Sequence, residues 1–373
     1  WALARVARRH RGRRELLVPA VLAAVLTVVQ IVLGAASVLT RLAVLPATLH
    51  LVNGALLLAT GMVLAIRAGR AAAARREASP ADPGIRGPGR WRDYLELTKP
   101  RVTTLVLVTT AVGFHVAGGM ARAGRLLDVL LGTLLVAAGT SALNQWAERD
   151  ADARMLRTRG RPLPAGRLSP RRALLFAAGI SILGLAILAL RVNGLSALLA
   201  AATLASYIGV YTPLKRRTSL ATLVGAVPGA LPPLIGWTAA TGSIDLGGIL
   251  LFAILFVWQL PHSLAIALLY RDDYARGGFR LLPVVDPEGG ATGRRILANA
   301  FVLLPVSLAP SVLGIAGTAY FAGALILGLG LLGCTIPVVR LGTARAARRV
   351  LLASVVYLPA LLGLLSLDRT TGP

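Results

Sequence analysis

The sequence predicts an all-α fold: a polytopic transmembrane helical bundle of nine helices, preceded by two extra transmembrane helices. Three observations carry that expectation. Hydrophobic residues fill 56% of the 373 positions. Mean hydropathy is +0.72. Charged residues are only 15%, and they sit in clusters between long apolar runs. A hydrocarbon core of ~30 Å needs ~20 apolar residues per helix. In lipid each backbone polar group must be satisfied within its own segment, so runs of this length are read as helices.

Taken in order, the apolar runs Leu16 to Thr40 and Leu42 to Ile66 make a first segment, 1–70. Pro80, Pro83, Gly84, Gly87, Pro88 and Gly89 then crowd together, and 71–92 reads as a flexible linker. The remaining segment, 93–373, holds nine spans. They are expected near Val102–Gly118, Leu126–Ala147, Ala173–Leu190, Leu195–Tyr211, Leu220–Thr241, Leu246–Tyr270, Ile296–Ile315, Ala319–Val339 and Val350–Leu367.

The formal net charge of +25 could suggest nucleic acid. The placement of the charge argues against it, because the basic residues occupy short loops between membrane-length runs, as in cytoplasmic loops under the positive-inside rule. With the N-terminus inside, all but five of the 40 basic residues fall on the cytoplasmic side, the exceptions being Arg41, Arg122, Arg125, Arg191 and Arg369. The C-terminus then falls outside. Basic residues are almost all arginine, the lysines being Lys99 and Lys215, and with the abundant alanine and glycine this points to a high-GC bacterial genome. The expected location is a bacterial plasma membrane. Cys334 is the single cysteine, which rules out an intrachain disulfide and a cysteine metal site. No cleavable signal peptide is expected, and since the chain opens on Trp1 the natural start is expected upstream.

The residues that carry chemistry lie at the cytoplasmic ends of these spans. Asn144, Glu148 and Asp152 are spaced i, i+4, i+8 and project from one helix face. Three oxygen-bearing side chains at a membrane helix end are costly unless something positive joins them. Mg²⁺ meets that need, taking one or two carboxylates and sharing its shell with substrate phosphates. A second acidic pair, Asp272 and Asp273, falls on the same side after the sixth span of the larger segment. Two such clusters can hold metal ions against one diphosphate and favour its departure. Arg157, Arg161, Lys215, Arg216, Arg217 and Arg276 occupy three nearby loops and suit the same anion. The bland alternative is a solvated helix end paired with loop arginines, and it is the preferred reading for Asp150, which lies off the stripe. Two clusters on one membrane side shift the balance toward function.

These motifs resemble the UbiA-type intramembrane prenyltransferase superfamily, through Asn144-x3-Glu148-x3-Asp152-x2-Met155-x-Arg157-Thr158-x2-Arg161-Pro162. Within it the chain is most similar to the protoheme IX farnesyltransferase (haem O synthase) family. The stretches that carry this likeness are Leu97-Thr98-Lys99-Pro100-Arg101-Val102, Tyr211-Thr212-Pro213-Leu214-Lys215-Arg216-Arg217-Thr218, Pro232-Pro233-Leu234-Ile235-Gly236-Trp237, Pro261-His262 and Asp273-Tyr274-Ala275-Arg276-Gly277-Gly278. The resemblance implies farnesyl diphosphate as donor, the haem b 2-vinyl group as acceptor and magnesium, two ions, as cofactor. It implies metal binding by Asn144, Glu148, Asp152, Asp272 and Asp273, and catalysis by Asn144, Asp152, Asp273 and Lys215. Substrate contacts would come from Lys99, Arg101, Arg157, Arg161, Arg216, Arg276 and His262. The sequence departs from the family pattern at Glu148, where aspartate is common, at Ala151, and at Leu260 and Ser263 around Pro261-His262, which puts the acceptor pocket in question. Two alternatives stay open: a relative acting on a quinone precursor or a chlorin, and a membrane transporter.

The N-terminal segment resembles the last two helices of haem A synthase, through Val28-Val29-Gln30-Ile31-Val32-Leu33-Gly34 and Leu49-His50-Leu51-Val52-Asn53-Gly54. Under that likeness His50 would ligate haem iron and the segment would also bind haem b. Haem A synthase or oxidase assembly factors would be partners. For His262, acceptor contact or haem ligation stands beside a packed, hydrogen-bonded histidine. His115 and His10 read as packing residues.

Overall fold

The computed structural model describes residues 14–39, 91–119 and 123–370, with isolated positions between 53 and 67. The chain divides into two compact units, Trp1–Ile85 and Arg86–Pro373. Among the described residues both are helical, apart from an isolated antiparallel bridge between Ala316 and Arg369.

In the first unit, helix α1 (Arg14–Leu39) contains an apolar stretch, Leu17–Gly34, long enough to cross a membrane. Of the second expected run only isolated helical positions are described. One of them, Asn53, donates to the Leu26 carbonyl at 2.9 Å and to Gln30 Oε1 at 2.6 Å, tying that run to α1 by polar contacts. His50 and residues 68–90 lie outside the described residues. Trp91 and Arg92, expected at the end of the linker, instead form the first turn of a short helix, α2 (Trp91–Leu97).

The larger unit continues with α3 (Pro100–Val116), α4 (Ala123–Asp152), α5 (Pro170–Ile187), α6 (Gly194–Ala205), α7 (Ala221–Thr241), α8 (Leu246–Leu269), the short α9 (Arg271–Arg276) and α10 (Leu282–Val285), then α11 (Gly290–Val312), α12 (Thr318–Leu341) and α13 (Ala344–Leu367). Nine of these correspond to the nine expected spans. The starts follow from local chemistry. Pro100 and Pro170 sit in first turns, where a missing N–H costs nothing. Asn193 caps α6 by accepting from Ser196 N at 2.8 Å, and Asp245 caps α8 through the amides of Gly247 and Gly248. α7 and α12 stop at Gly242 (φ 79°) and Gly342 (φ 56°), left-handed positions that suit glycine. Past α6 the chain widens into a π-helical turn, Ser206–Tyr211, before Thr212–Leu214.

Packing is closest where side chains vanish. A Cβ on Gly113 would lie 2.0 Å from the Pro233 carbonyl, and one on Gly236 would lie 1.9 Å from the Thr110 carbonyl. α3 and α7 therefore meet backbone to backbone, as small residues permit in membrane helices. α3, α7, α8 and α13 pack around a closed ring. Toward one end that ring is filled by Val116, Trp237, Leu251, Leu255, Tyr357 and Leu361. At the opposite end it gives way to the charged groups described next.

Candidate active site

The last turns of α4 place Asn144, Glu148 and Asp152 along one buried face. α3 begins beside this face and the 206–215 segment covers it. Lys99 donates to Asn144 Oδ1 at 3.3 Å, while Asn144 Nδ2 donates to Thr212 Oγ1 at 3.2 Å, so both ends of the amide are oriented. Thr212 in turn donates to the Tyr207 carbonyl at 2.8 Å, within the π-helical turn. Such widened turns recur at functional sites. Lys99 is the one non-glycine residue with positive φ (47°) among the described residues, and it directly precedes Pro100. A side chain held in that region costs about 1–3 kcal/mol of strain.

The electrostatics are those of charges removed from water. Lys215 Nζ lies 2.7 Å from Glu148 Oε1, above the Tyr211 ring at 4.4 Å and near Phe279. Burial pulls the Lys215 pKa down, but Tyr211 and Glu148 outweigh it and hold it above the usual lysine range. Lys99 goes the other way. Burial, then the charges of Arg161 and Lys215, lower it to about 7 against the opposing pull of Glu148 and Asp152. Arg161 lies 2.6 Å from Asp152 Oδ2. Asp152 Oδ1 is buried and, like Gln145 Oε1, has no hydrogen-bond partner among the described residues.

The second acidic group meets the first through the loop after α4. Asp273 accepts from the amides of Leu156 at 2.9 Å and Arg157 at 3.1 Å, and from the Arg276 guanidinium. Burial raises its pKa, but Arg276 and the two amides prevail and hold it below the usual carboxylate value. Arg154 reinforces the junction by donating to the Gly277 carbonyl at 3.1 Å. Asp272 is exposed beside Arg271. Arg157 stands over the rings of Tyr270 and Tyr274 at 5.2 and 5.8 Å. Arg101 and Arg216 are exposed at the same end and form no ion pair among the described residues. Glu148, Asp152 and Asp273 are each drawn to a cation of their own. Among the described residues no three carboxylate, histidine or cysteine side chains converge on one point.

His262 lies within α8, stacked on Trp258 at 4.8 Å, with Nδ1 2.8 Å from Ser354 Oγ of α13. His115 is at the other end, its Nε2 3.2 Å from the Ser366 carbonyl. Sequence reasoning passed over Tyr207, Thr212 and Phe279, which build the wall around Lys215 and Asn144. The i, i+4, i+8 spacing of Tyr207, Tyr211 and Lys215 was a usable signal.

A buried anion–cation cluster at a membrane helix end, with one carboxylate oxygen open, suits a phosphorylated substrate accompanied by a hard cation. The model of the UbiA prenyltransferase family matches residues 106–361. The chain belongs to the UbiA prenyltransferase family. This prenyltransferase is 50% identical over 290 residues to the protoheme IX farnesyltransferase of Solibacter usitatus, covering 74% of this chain and 99% of that protein. It is 49% identical over 270 residues to the protoheme IX farnesyltransferase of an Anaeromyxobacter species, covering 72% and 91%. Among solved structures, the fold of this prenyltransferase is similar to that of a digeranylgeranylglyceryl phosphate synthase, with a TM-score of 0.64 at 16% identity over 74% of this chain and 98% of that one. A UbiA homologue from Archaeoglobus fulgidus, solved with GPP and Mg²⁺ bound, matches with a TM-score of 0.51 at 16% identity over 74% and 99%. Like those proteins, this prenyltransferase is a multi-pass membrane protein.

Proposed function

We propose that the chain transfers the farnesyl group of farnesyl diphosphate to the 2-vinyl group of haem b, giving haem O. The observation that carries the reading is the cluster of buried Lys215, Glu148 and Asp152 with half-buried Lys99 and Arg161, in which Asp152 Oδ1 is left open. Lys99 stands beside two ion pairs, and the negative charge of a bound diphosphate would hold its ammonium protonated. The acceptor is inferred from the named relatives, which align over nearly their whole length.

The oxygen donors fit a divalent cation, which Glu148 and Asp152 would hold with Asn144 in support. A Mg²⁺ bound there supplies charge neutralisation to the leaving diphosphate. Lys215 and Arg161 hold the diphosphate oxygens, and the strained Lys99 is aimed into the same cluster. The C1–O bond breaks with its electron pair leaving on diphosphate. The vinyl π bond attacks C1 of the allylic cation and forms the new C–C bond. Water captures the resulting cation beside the porphyrin and loses a proton, completing the hydroxyethylfarnesyl group. The bundle interior excludes other water until that step.

In this reading the chain sits in a bacterial plasma membrane with the charged end cytoplasmic, as the distribution of arginines supports. The N-terminal unit acts as a haem A synthase-like attachment, with His50 as a haem ligand and haem A synthase or oxidase assembly factors as neighbours. Mass spectrometry of haems from cells expressing the chain tests the activity. A hydroxyethylfarnesyl mass gain on haem b is expected, and its absence with donor and haem present would defeat the proposal.

A further inference from the structure

Three contacts around the middle of α8 fix the chemistry of His262. Ser354 Oγ donates its single proton to the Leu351 carbonyl at 2.8 Å. With its proton placed there, that hydroxyl accepts from His262, whose Nδ1 lies 2.8 Å away. With the hydroxyl proton assigned to that carbonyl, neutral His262 is the Nδ1–H tautomer and Nε2 carries an open lone pair. Trp258 Nε1, donating to the Ser354 carbonyl at 2.9 Å, and the stacked Trp258 ring lock the pair in place. Nε2 has no hydrogen-bond partner among the described residues, and the ring is half-buried rather than sealed.

The direction of His262 follows from its neighbours on the helix. Trp258 and His262 both contact Ser354 of α13. Gln259 donates to the Ala226 carbonyl of α7 at 2.8 Å. At 3.6 residues per turn His262 lies roughly 40° round from Trp258 toward Gln259. It thus occupies the arc of α8 between the α13-facing and α7-facing sides. α3 packs against both α7 and α13, so this arc faces the inside of the four-helix ring. Leu255, one face-turn further from the charged end, belongs to the apolar packing that floors that space. His262 is seven residues from the end of α8, about 10 Å below the level of the charged cluster at a rise of ~1.5 Å per residue.

We infer that His262 Nε2 is an axial ligand to the iron of the haem acceptor, with Ser354 as the positioning residue that fixes its tautomer. The inference rests on the reading of haem as the prenyl acceptor. An imidazole whose second nitrogen donates to a fixed oxygen is the usual protein ligand arrangement for a metal, since the outer partner sets ring orientation and strengthens the ligand. Ligation at this depth would pin the porphyrin in the ring while its vinyl edge meets the prenyl chain descending from the diphosphate.

The test is resonance Raman and optical titration of haem b into the detergent-purified full chain. The wild type should show an iron–histidine band in the ferrous state. His262→Gly should lose it, and added imidazole should restore it. Ser354→Ala should keep the band at a shifted frequency, with haem affinity weakened by ~10-fold as is typical for an outer-shell partner. Both variants should bind farnesyl diphosphate with Mg²⁺ as the wild type does, which reports an intact fold. A band that survives in His262→Gly, or a wild type that farnesylates haem without any such band, would overturn the ligand assignment. A wild type that shows the band yet never farnesylates haem would instead overturn the activity and leave the iron site standing.

Discussion

The two ends of the larger unit use the same residue types to different effect. At the end formed by Gly317, Asp368 and Arg369, charges finish the structure. Arg369 donates to the His115 carbonyl at 2.8 Å, Asp368 accepts from Tyr320 N at 2.6 Å, and Arg191 pairs in the open with Asp128 at 2.8 Å. Donors there meet acceptors at the margin of solvent. At the opposite end Lys215–Glu148 and Arg161–Asp152 are buried, Lys99 is strained and lowered to about 7, and Asp152 Oδ1 is left open. Spare valence inside a desolvated cluster is what separates a site from a cap. A buried pair is itself weak evidence of stability, since desolvation offsets its attraction.

Four substitutions probe this contrast. The largest effect is expected for Asp152→Ala, which removes the open oxygen. Prenyl transfer by purified protein should fall by at least ~10²–10³-fold, the usual cost of one such electrostatic element, with membrane insertion intact. Full activity would mean the open oxygen is incidental. Lys215→Ala leaves Glu148 buried and alone, and should cost about 3–5 kcal/mol of stability, read as a lowered midpoint in detergent unfolding, with transfer slowed by less than in Asp152→Ala. Asp273→Ala should lower activity less than either, by releasing the loop after α4, with proteolysis at residues 153–158 accelerated in parallel.

The wild type should show the same loosening in acid. Because the folded Asp273 pKa is depressed, its contribution is complete above the unfolded value of about 4 and is lost as pH falls below that through the folded value. Loop proteolysis independent of pH across that window would mean that Asp273 does not tether the loop. The smallest effect is expected for Arg191→Ala at the other end: no more than ~1 kcal/mol, as for exposed ion pairs, and unchanged turnover. A large loss of turnover there would erase the distinction between the ends.

Much of this was readable from the chain alone, for physical reasons. Runs of membrane length cannot hide, so eight helices of that length and the shorter Pro100–Val116 stand in the larger unit where hydropathy put them, and Asn144, Glu148 and Asp152 share a face because 3.6-residue periodicity requires it. What the sequence could not convey depended on partners far away in the chain. Asp273 looks like a metal ligand by type, and nothing near it in the sequence shows that its oxygens also accept from amides more than a hundred positions earlier. His262 reaches Ser354, 92 positions on, a partner that no residue near it in the sequence reveals. Nothing local announces that Lys99 takes a left-handed conformation, a choice made by the fold around Asn144 and not by backbone preference. His50 and the 71–90 stretch fall outside the described residues, and the N-terminal resemblance stays an expectation.

The π-helical turn at Ser206–Tyr211 has a consequence for how this segment could change over time. A widened turn is equivalent to one residue inserted into an α-helix, and one residue advances the following chain by ~100° and ~1.5 Å. Thr212 and Lys215 reach α4 because of that offset. Deleting Gly209 would restore regular winding while swinging both side chains away, so a helix more orderly by every local measure would be an inactive one. At this point a change of length should therefore cost more activity than a change of residue.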